Sequence, residues 1–436
     1  MSSKWLGKCP DCGAWNSFEE NAAPRESTKA LNSVEAIPIT EIDLDDVPRI
    51  LSGSSELDRV LGGGLVQSSV VLMAGAPGIG KSSLALKVAS TLADHGLKAL
   101  YVSAEESAAQ IKMRADRITA VSKNLFVSTQ NMLENIIASI GKLKPDFAVI
   151  DSIQTIFKST IDSSAGNVSQ IRECAADFLR VAKSKDVTII LIGHVTKDGA
   201  LAGPRVLEHL VDTVLLFEGQ QASDLRILRA IKNRFGATSE IGLFEMRSEG
   251  LFDLPDASSI FLPDKVDEIG SVVFPTVEGS RALLVEVQAL VAKTSIMPPR
   301  RTSDSIDVKK IQLLLAVLEK RLRMPIGVCD VFLKTAGDIK IDEPAADLAI
   351  AISLASSFAN LAIVPRTVFF GEVGLAGEVR AVHFARQRLY EAKRLGFERA
   401  LIPTKNAKEI DATDVGLEII SVSTLRESFR AAFPKK

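Results

Sequence analysis

Cysteine is scarce, with four in 436 residues, two of them in Cys9-Pro10-Asp11-Cys12. This is no disulfide framework, and a reducing cytoplasm suits such a chain better than an oxidising compartment. Tryptophan is scarcer still: Trp5 and Trp15 both lie beside that cysteine pair. No apolar run is long enough to span a bilayer and no signal peptide opens the chain, so a cytoplasmic protein without a membrane partner is expected. Charge of one sign is also lacking. A net charge of −2 announces no nucleic-acid binder through bulk electrostatics, and any such contact must come from a local basic surface. No internal repeat is found. Apolar residues, by contrast, make up 46%, ample for packed cores in a chain whose length predicts more than one domain.

The most informative segment is Gly75-Ala76-Pro77-Gly78-Ile79-Gly80-Lys81-Ser82, a complete Gly-x-x-x-x-Gly-Lys-Ser phosphate-binding loop. It follows Val70-Val71-Leu72-Met73-Ala74, which reads as a buried strand. It precedes Ser83-Leu84-Ala85-Leu86-Lys87-Val88-Ala89, which has helical spacing, and this is the context the motif needs. Glycines let backbone N–H groups converge on phosphate oxygens, and the helix N-terminus adds partial positive charge. Lys81 then reaches the β and γ phosphates of ATP, Ser82 holds Mg²⁺, and Ser83 completes the nucleotide-binding set.

Residues 1–20 form a small island around Cys9 and Cys12, in the Cys-x-x-Cys-Gly shape of one zinc knuckle. Two thiolates supply half of a tetrahedral Zn²⁺ site. The other half is missing from the sequence, because Cys174 and Cys329 are isolated and far away. Residues 21–50, rich in Glu, Ser and Pro, read mostly as linker. From 51 to about 268, strands alternate with helices. Helices are expected near 81–95, 106–118, 131–143 and 168–185. Strands are expected at 98–103, 125–128, 147–151, 187–194 and 212–217. Continuous apolar strands between helices predict a parallel sheet covered on both faces. Two further strands, 225–232 and 241–247, read as antiparallel. Pro255, Pro263 and Gly270 mark a boundary, and 269–436 reads as a second α/β domain.

Asp151 ends an apolar strand, where it can hold the water shell of Mg²⁺; a helix-capping Asp is the ordinary alternative. Glu105 lies just past the strand end at Ser103 and can deprotonate the attacking water, with Glu106 as the competing choice. His194 ends a later strand and can sense the γ-phosphate or serve only as a satisfied polar residue. Lys232-Asn233-Arg234-Phe235-Gly236 puts two cations two residues apart, on one face if the strand continues. Such cations meet developing charge in phosphoryl transfer and can come from a neighbouring chain; a solvated basic turn is the ordinary alternative.

Together the phosphate loop, Tyr101-Val102-Ser103-Ala104-Glu105-Glu106-Ser107, Ala202-Gly203-Pro204-Arg205-Val206-Leu207-Glu208-His209 and the Lys232–Gly236 motif resemble bacterial RadA (Sms), recombination ATPases related to RecA. The resemblance runs over essentially the whole chain. It implies a RecA-like P-loop core followed by a domain with the Lon protease fold. It also implies a homo-hexameric ring on single-stranded and branched DNA, action beside the RecA recombinase, and Lys232 and Arg234 reaching the adjacent subunit's nucleotide or coupling it to DNA. The family begins with a four-cysteine zinc motif, of which this chain holds the second half; Met1 reads as a late start or the finger as lost. In the C-terminal domain Ala345 stands where Lon has its nucleophilic serine and Arg386 where it has the partner lysine, so the peptidase dyad is expected to be inactive. Lys197, Arg205 and Arg172, in loops 161–172 and 196–205, are candidate DNA contacts. A second basic stretch holds Arg300, Arg301, Lys309, Lys310, Lys320, Arg321 and Arg323, which also reads as an ordinary charged helix face.

Overall fold

A two-stranded ladder, β1 (Arg49–Ile50) with β2 (Leu65–Val66), brackets helix α1 (Ser55–Leu61). The computed structural model describes Pro38 and residues 48–434 except 195–206, 220–223, 257, 263–267, 295–297 and 411–414. The apolar run before the glycine loop forms β3 (Val70–Gly75), buried along its whole length, and the loop leads into α2 (Lys81–Asp94). Then follow β4 (Ala99–Ser103), α3 (Ala108–Arg117), β5 (Leu125–Ser128), α4 (Leu133–Leu143), β6 (Phe147–Asp151), α5 (Val168–Lys185) and β7 (Thr188–His194). Four more strands complete the layer: β8 (Thr213–Glu218), β9 (Leu225–Asn233), β10 (Ile241–Arg247) and β11 (Gly250–Asp253).

These strands form one nine-stranded sheet in the order β11-β10-β9-β8-β3-β7-β6-β4-β5. From β8 to β5 every pairing is parallel; from β8 outward to β11 every pairing is antiparallel. The central parallel strands β3, β4, β6 and β7 have helices on both faces and are therefore buried and largely apolar. One face packs against α2 through Leu84, Leu86, Val88 and Leu92. The other packs against α4 and α5 through Ile136, Ile140, Ile171 and Phe178. α3 starts on a capping box, with Ser107 and Gln110 satisfying each other's backbone N–H groups.

The second sheet is built from β12 (Ser271–Glu278), β13 (Arg281–Lys293), β14 (Arg301–Ser303), β15 (Cys329–Thr335), β16 (Thr367–Phe369), β19 (Arg399–Pro403) and β20 (Glu418–Val422); β17 (Glu372–Val373) and β18 (Val379–Arg380) form a separate hairpin. Its order is β14-β15-β13-β12-β16-β19-β20. Helices α6 (Val308–Leu322), α7 (Asp347–Ala359), α8 (Ala385–Arg394) and α9 (Leu425–Ala432) cover it. α7 is buried from Asp347 to Ser356, so it is apolar on nearly every side and forms the centre of this core.

Residues 48–436 form one compact unit. Ile241 and Leu243 of β10 belong to the core of the second sheet. Arg281 on β13 reaches back to Glu56 of α1 at 2.8 Å, and Arg229 on β9 bonds Glu278 on β12 at 2.8 Å.

Candidate active site

At the C-terminal end of β3 the backbone must pass close to its neighbour. A Cβ on Gly75 would stand 2.9 Å from the Phe217 Cβ. Gly78 and Gly80 have φ of 74° and 114°, which side chains rarely adopt. α2 opens at Lys81 with Gly80 as its N-cap, no side chain caps it, and its first turn has no acidic residue. Its leading N–H groups thus lack a side-chain acceptor and point, with the positive end of the helix, into the loop. That cradle fits a polyphosphate. Ile79 is buried and anchors the loop, while Ala76, Pro77 and Gly78 line its exposed rim.

Lys81 is only 3% exposed. Its Nζ donates to the carbonyls of Gly75 and Ala76, both at 2.9 Å, and lies 3.2 Å from His194 Nδ1. Burial pulls its pKa down to about 8, against the opposing pull of Asp151 and Glu105. His194 is pushed below its ordinary value by burial first and by Lys81 second. Gln154 holds the His194 carbonyl at 3.3 Å.

Asp151 ends β6, buried, next to Ser103 in the ladder. Ser82 and Asp151 are the residues that can hold Mg²⁺. A hydroxyl and a carboxylate suit a hard cation that keeps several waters. The two glutamates part company in the structure. Glu106 Oε2 pairs with Arg114 at 2.8 Å. Glu105 accepts from Ser152 Oγ at 2.6 Å and lies 3.9 Å from His194 Nε2. Sequence reasoning missed Ser152, Tyr101 and Arg114 as neighbours of these acids. Ser152 directly follows Asp151 and could have been flagged; Arg114 sits at no motif spacing and carried no signal.

Lys232 and Arg234 are not on one continuous strand face, because β9 ends at Asn233. Lys232 Nζ donates to the carbonyls of Glu208 (2.6 Å) and Val211 (2.7 Å). Arg234 Nη1 pairs with Asp212 at 3.2 Å and stays half-exposed. The ladders set their distance from the phosphate loop. Gly75 pairs with Phe217, whereas Val71 pairs with Thr213 and Thr213 with Asn233. Arg234 is therefore some five residues back along the strands, about 17 Å at roughly 3.3 Å per residue. Lys232, level with Leu72, is three residues back, about 10 Å, and in this chain its amine is turned to the Glu208 and Val211 carbonyls and Arg234 to Asp212, away from the phosphate loop.

Cys9, Cys12, Lys197 and Arg205 lie outside the described residues. Among the described residues no group of three or more His, Cys, Asp or Glu side chains could hold a metal ion. Arg172 is exposed near the start of α5. In the second basic stretch, Arg301 is spent on the carbonyls of Arg300, Gly327 and Cys329, and Lys310 on Asp347. Lys309, Lys320 and Arg323 remain exposed. Ala345 is buried just before α7, and Arg386 sits in the first turn of α8.

Comparison with known proteins agrees with this architecture. A family model described as an AAA domain matches residues 39–200. One described as subunit ChlI of Mg-chelatase matches 303–406. A third, described as a rubredoxin metal binding domain, matches 1–20, the segment with Cys9 and Cys12. The chain is 47% identical to the DNA repair protein RadA of Bacillus subtilis, over 99% of this chain and 96% of that protein. It is 46% identical to RadA of Campylobacter jejuni over 94% and 93%, and 45% identical to RadA of Aquifex aeolicus over 99% and 96%. Among solved structures it is similar to a KaiC-like protein of Pyrococcus horikoshii, at 20% identity and a TM-score of 0.41, over 48% of this chain and 100% of that one. The fold is a RecA-like P-loop ATPase core followed by an α/β domain of the ChlI and Lon-like kind. The chain belongs to the RadA family of DNA repair proteins.

Proposed function

We propose that the chain is a DNA-stimulated ATPase that moves on single-stranded DNA as a homo-hexameric ring and extends branched recombination intermediates in the cytoplasm. Gly75 to Ser83 hold the nucleotide, Ser82 and Asp151 the Mg²⁺, and Glu105 acts as the base on the attacking water. Lys232 and Arg234 act on the nucleotide of the adjacent subunit. The ATPase domain runs from 51 to 268, after a zinc-knuckle segment at 1–20 and a linker at 21–50. Residues 269–436 form a Lon-like domain without peptidase activity, since neither Ala345 nor Arg386 supplies dyad chemistry. Zinc binds weakly, or through Cys9 and Cys12 of two chains together. The RecA recombinase is a candidate partner on the same DNA.

One observation carries the reading: the strand register sets Arg234 about 17 Å and Lys232 about 10 Å behind the phosphate loop along the strands. Cations so placed fit a role on the nucleotide of an adjacent subunit, or in coupling it to DNA, which is the logic of a ring motor. The test is ATP hydrolysis with and without single-stranded DNA, together with displacement of streptavidin from a biotinylated strand end. Stimulated hydrolysis with ATP-dependent displacement is expected. Stimulation without displacement would overturn translocation and leave a nucleotide-switched DNA binder. Hydrolysis indifferent to DNA would overturn the motor altogether.

A further inference from the structure

Tyr101 lies on β4 with 0% exposure, its ring packed in the core shared with α2. A phenylalanine would fill that space as well, yet here a hydroxyl is buried with it. The ladder explains where it goes. Tyr101 pairs with Val149 and Ser103 with Asp151, so Asp151 stands two residues further along the same face. The Tyr101 hydroxyl leans forward and donates to Asp151 Oδ2. The Tyr101 hydroxyl oxygen in turn accepts from Arg114 Nη2 at 3.0 Å, and the guanidinium stands 5.7 Å from the ring centroid. Arg114 comes from the last turn of α3 and is 13% exposed. Its Nη2 pairs with Glu106 at 2.8 Å but stays 3.8 Å from Asp151. Asp151 is thus held by the phenol at hydrogen-bond distance and by the guanidinium only at the outer range of an ion pair.

The consequence is geometric. Oδ2 of the Asp151 carboxylate is committed to Tyr101, which leaves Oδ1 as the oxygen free of that bond. Glu106 precedes α3 and follows Glu105, so the Glu106–Arg114 pair also ties the loop carrying Glu105 to that carboxylate. Partners of a metal-holding carboxylate set its direction, and losing them weakens metal binding even though they never touch the ion. We propose that Tyr101 and Arg114 are positioning residues for the magnesium nucleotide, fixing which oxygen Asp151 presents and linking it to the Glu105 loop. This rests on the reading of Asp151 as the residue that holds Mg²⁺.

The experiment measures the dissociation constant of a fluorescent (mant) ADP with Mg²⁺ and with EDTA, in the full chain and three variants. Asp151→Asn tests the underlying reading and should abolish most of the Mg²⁺-dependent gain in affinity. Tyr101→Phe keeps the ring and removes only the hydroxyl. It should leave the EDTA value unchanged, cut the Mg²⁺-dependent gain by about tenfold, and raise the Mg²⁺ concentration at half-saturation correspondingly. Arg114→Gln, on the partly exposed end of α3, should do the same more weakly, and it serves as the test if Tyr101→Phe does not fold. If Asp151→Asn loses the gain but Tyr101→Phe and Arg114→Gln keep it in full, the positioning role is overturned. If Asp151→Asn also keeps it, the reading of Asp151 fails instead. A loss of affinity equal with and without Mg²⁺ would mark Tyr101 as purely structural and likewise overturn the proposal.

Discussion

Lys81 is an amine that burial makes easier to deprotonate, with a pKa near 8 against an ordinary 10.5. Two pH effects of opposite sign follow in the same window. Between about pH 8 and 10.5 the unfolded chain still binds the proton that the folded chain has lost, so the Lys81 contribution to stability rises with pH. Nucleotide binding runs the other way, because phosphate favours the charged ammonium. Affinity should be level below about pH 8 and fall above it, by up to about tenfold per unit, with proton uptake on binding. Titration of a fluorescent nucleotide across that range checks this. Lys81→Arg, which stays charged throughout, should give a flat profile. The glutamates make a second residue-scale test. Glu105 faces Ser152 and His194, whereas Glu106 is engaged by Arg114. Glu105→Gln should lower kcat by about 10² to 10⁴ while nucleotide affinity holds. Glu106→Gln should cost far less; equal losses in kcat would count against Glu105 as the base.

Among the elements, α1 ties distant parts of the chain together. Its N-cap Ser54 accepts from Leu57 N and donates to Asp253 at 2.7 Å. Glu56, wholly buried, accepts from Leu243 N at 2.9 Å and from Arg281 of the second sheet at 2.8 Å. At the other end of α1, Asn233 donates to the carbonyls of Val60 and Leu61 and accepts from Phe235 N at 3.0 Å. Arg49 holds the Phe235 carbonyl at 2.6 Å, and a Cβ on Gly62 would come within 3.2 Å of the Gly236 Cα. The Lys232–Gly236 segment is thus moored to the same helix that meets the second sheet. Removing one partner of a buried pair leaves an uncompensated charge, so Arg281→Ala should lower stability by about 3–5 kcal/mol, read as a fall in the denaturation midpoint. This helix was not legible in the sequence. It is seven residues long, and its partners lie far along the chain, so no local period announces it. β3, β6 and β7 were legible because burial on both faces forces a continuous apolar run. The phosphate loop was legible for a similar reason: its chemistry needs glycines and a lysine at fixed spacing. The choice between Glu105 and Glu106 was not, because it turns on where Arg114 and Ser152 fall in three dimensions.

For the whole molecule, the Lon-like domain and the ring each give an expected outcome. Ala345 offers no hydroxyl and Arg386 no amine that readily deprotonates. Unfolded casein with ATP should therefore show no cleavage above background; cleavage that survives repurification and vanishes on C-terminal truncation would contradict this. The proposed ring makes the stronger demand. In the proposed ring, each active site would take Glu105 and Lys81 from one subunit and Arg234 from the next. Fingers of this kind contribute about 10³ to 10⁵ in rate, roughly 4–7 kcal/mol of barrier. Arg234→Ala alone should nearly abolish hydrolysis while nucleotide binding stays largely intact, and Glu105→Gln alone should do the same. Mixed together, the two variants should recover part of the activity, because one kind of mixed interface pairs an intact Glu105 with an intact Arg234. Recovery should peak near equal proportions, where such interfaces are most frequent, and should be absent when both substitutions sit in one chain mixed with itself. Mixed rings that form, as judged by co-purification of differently tagged chains, yet recover nothing at any ratio would refute action across the interface.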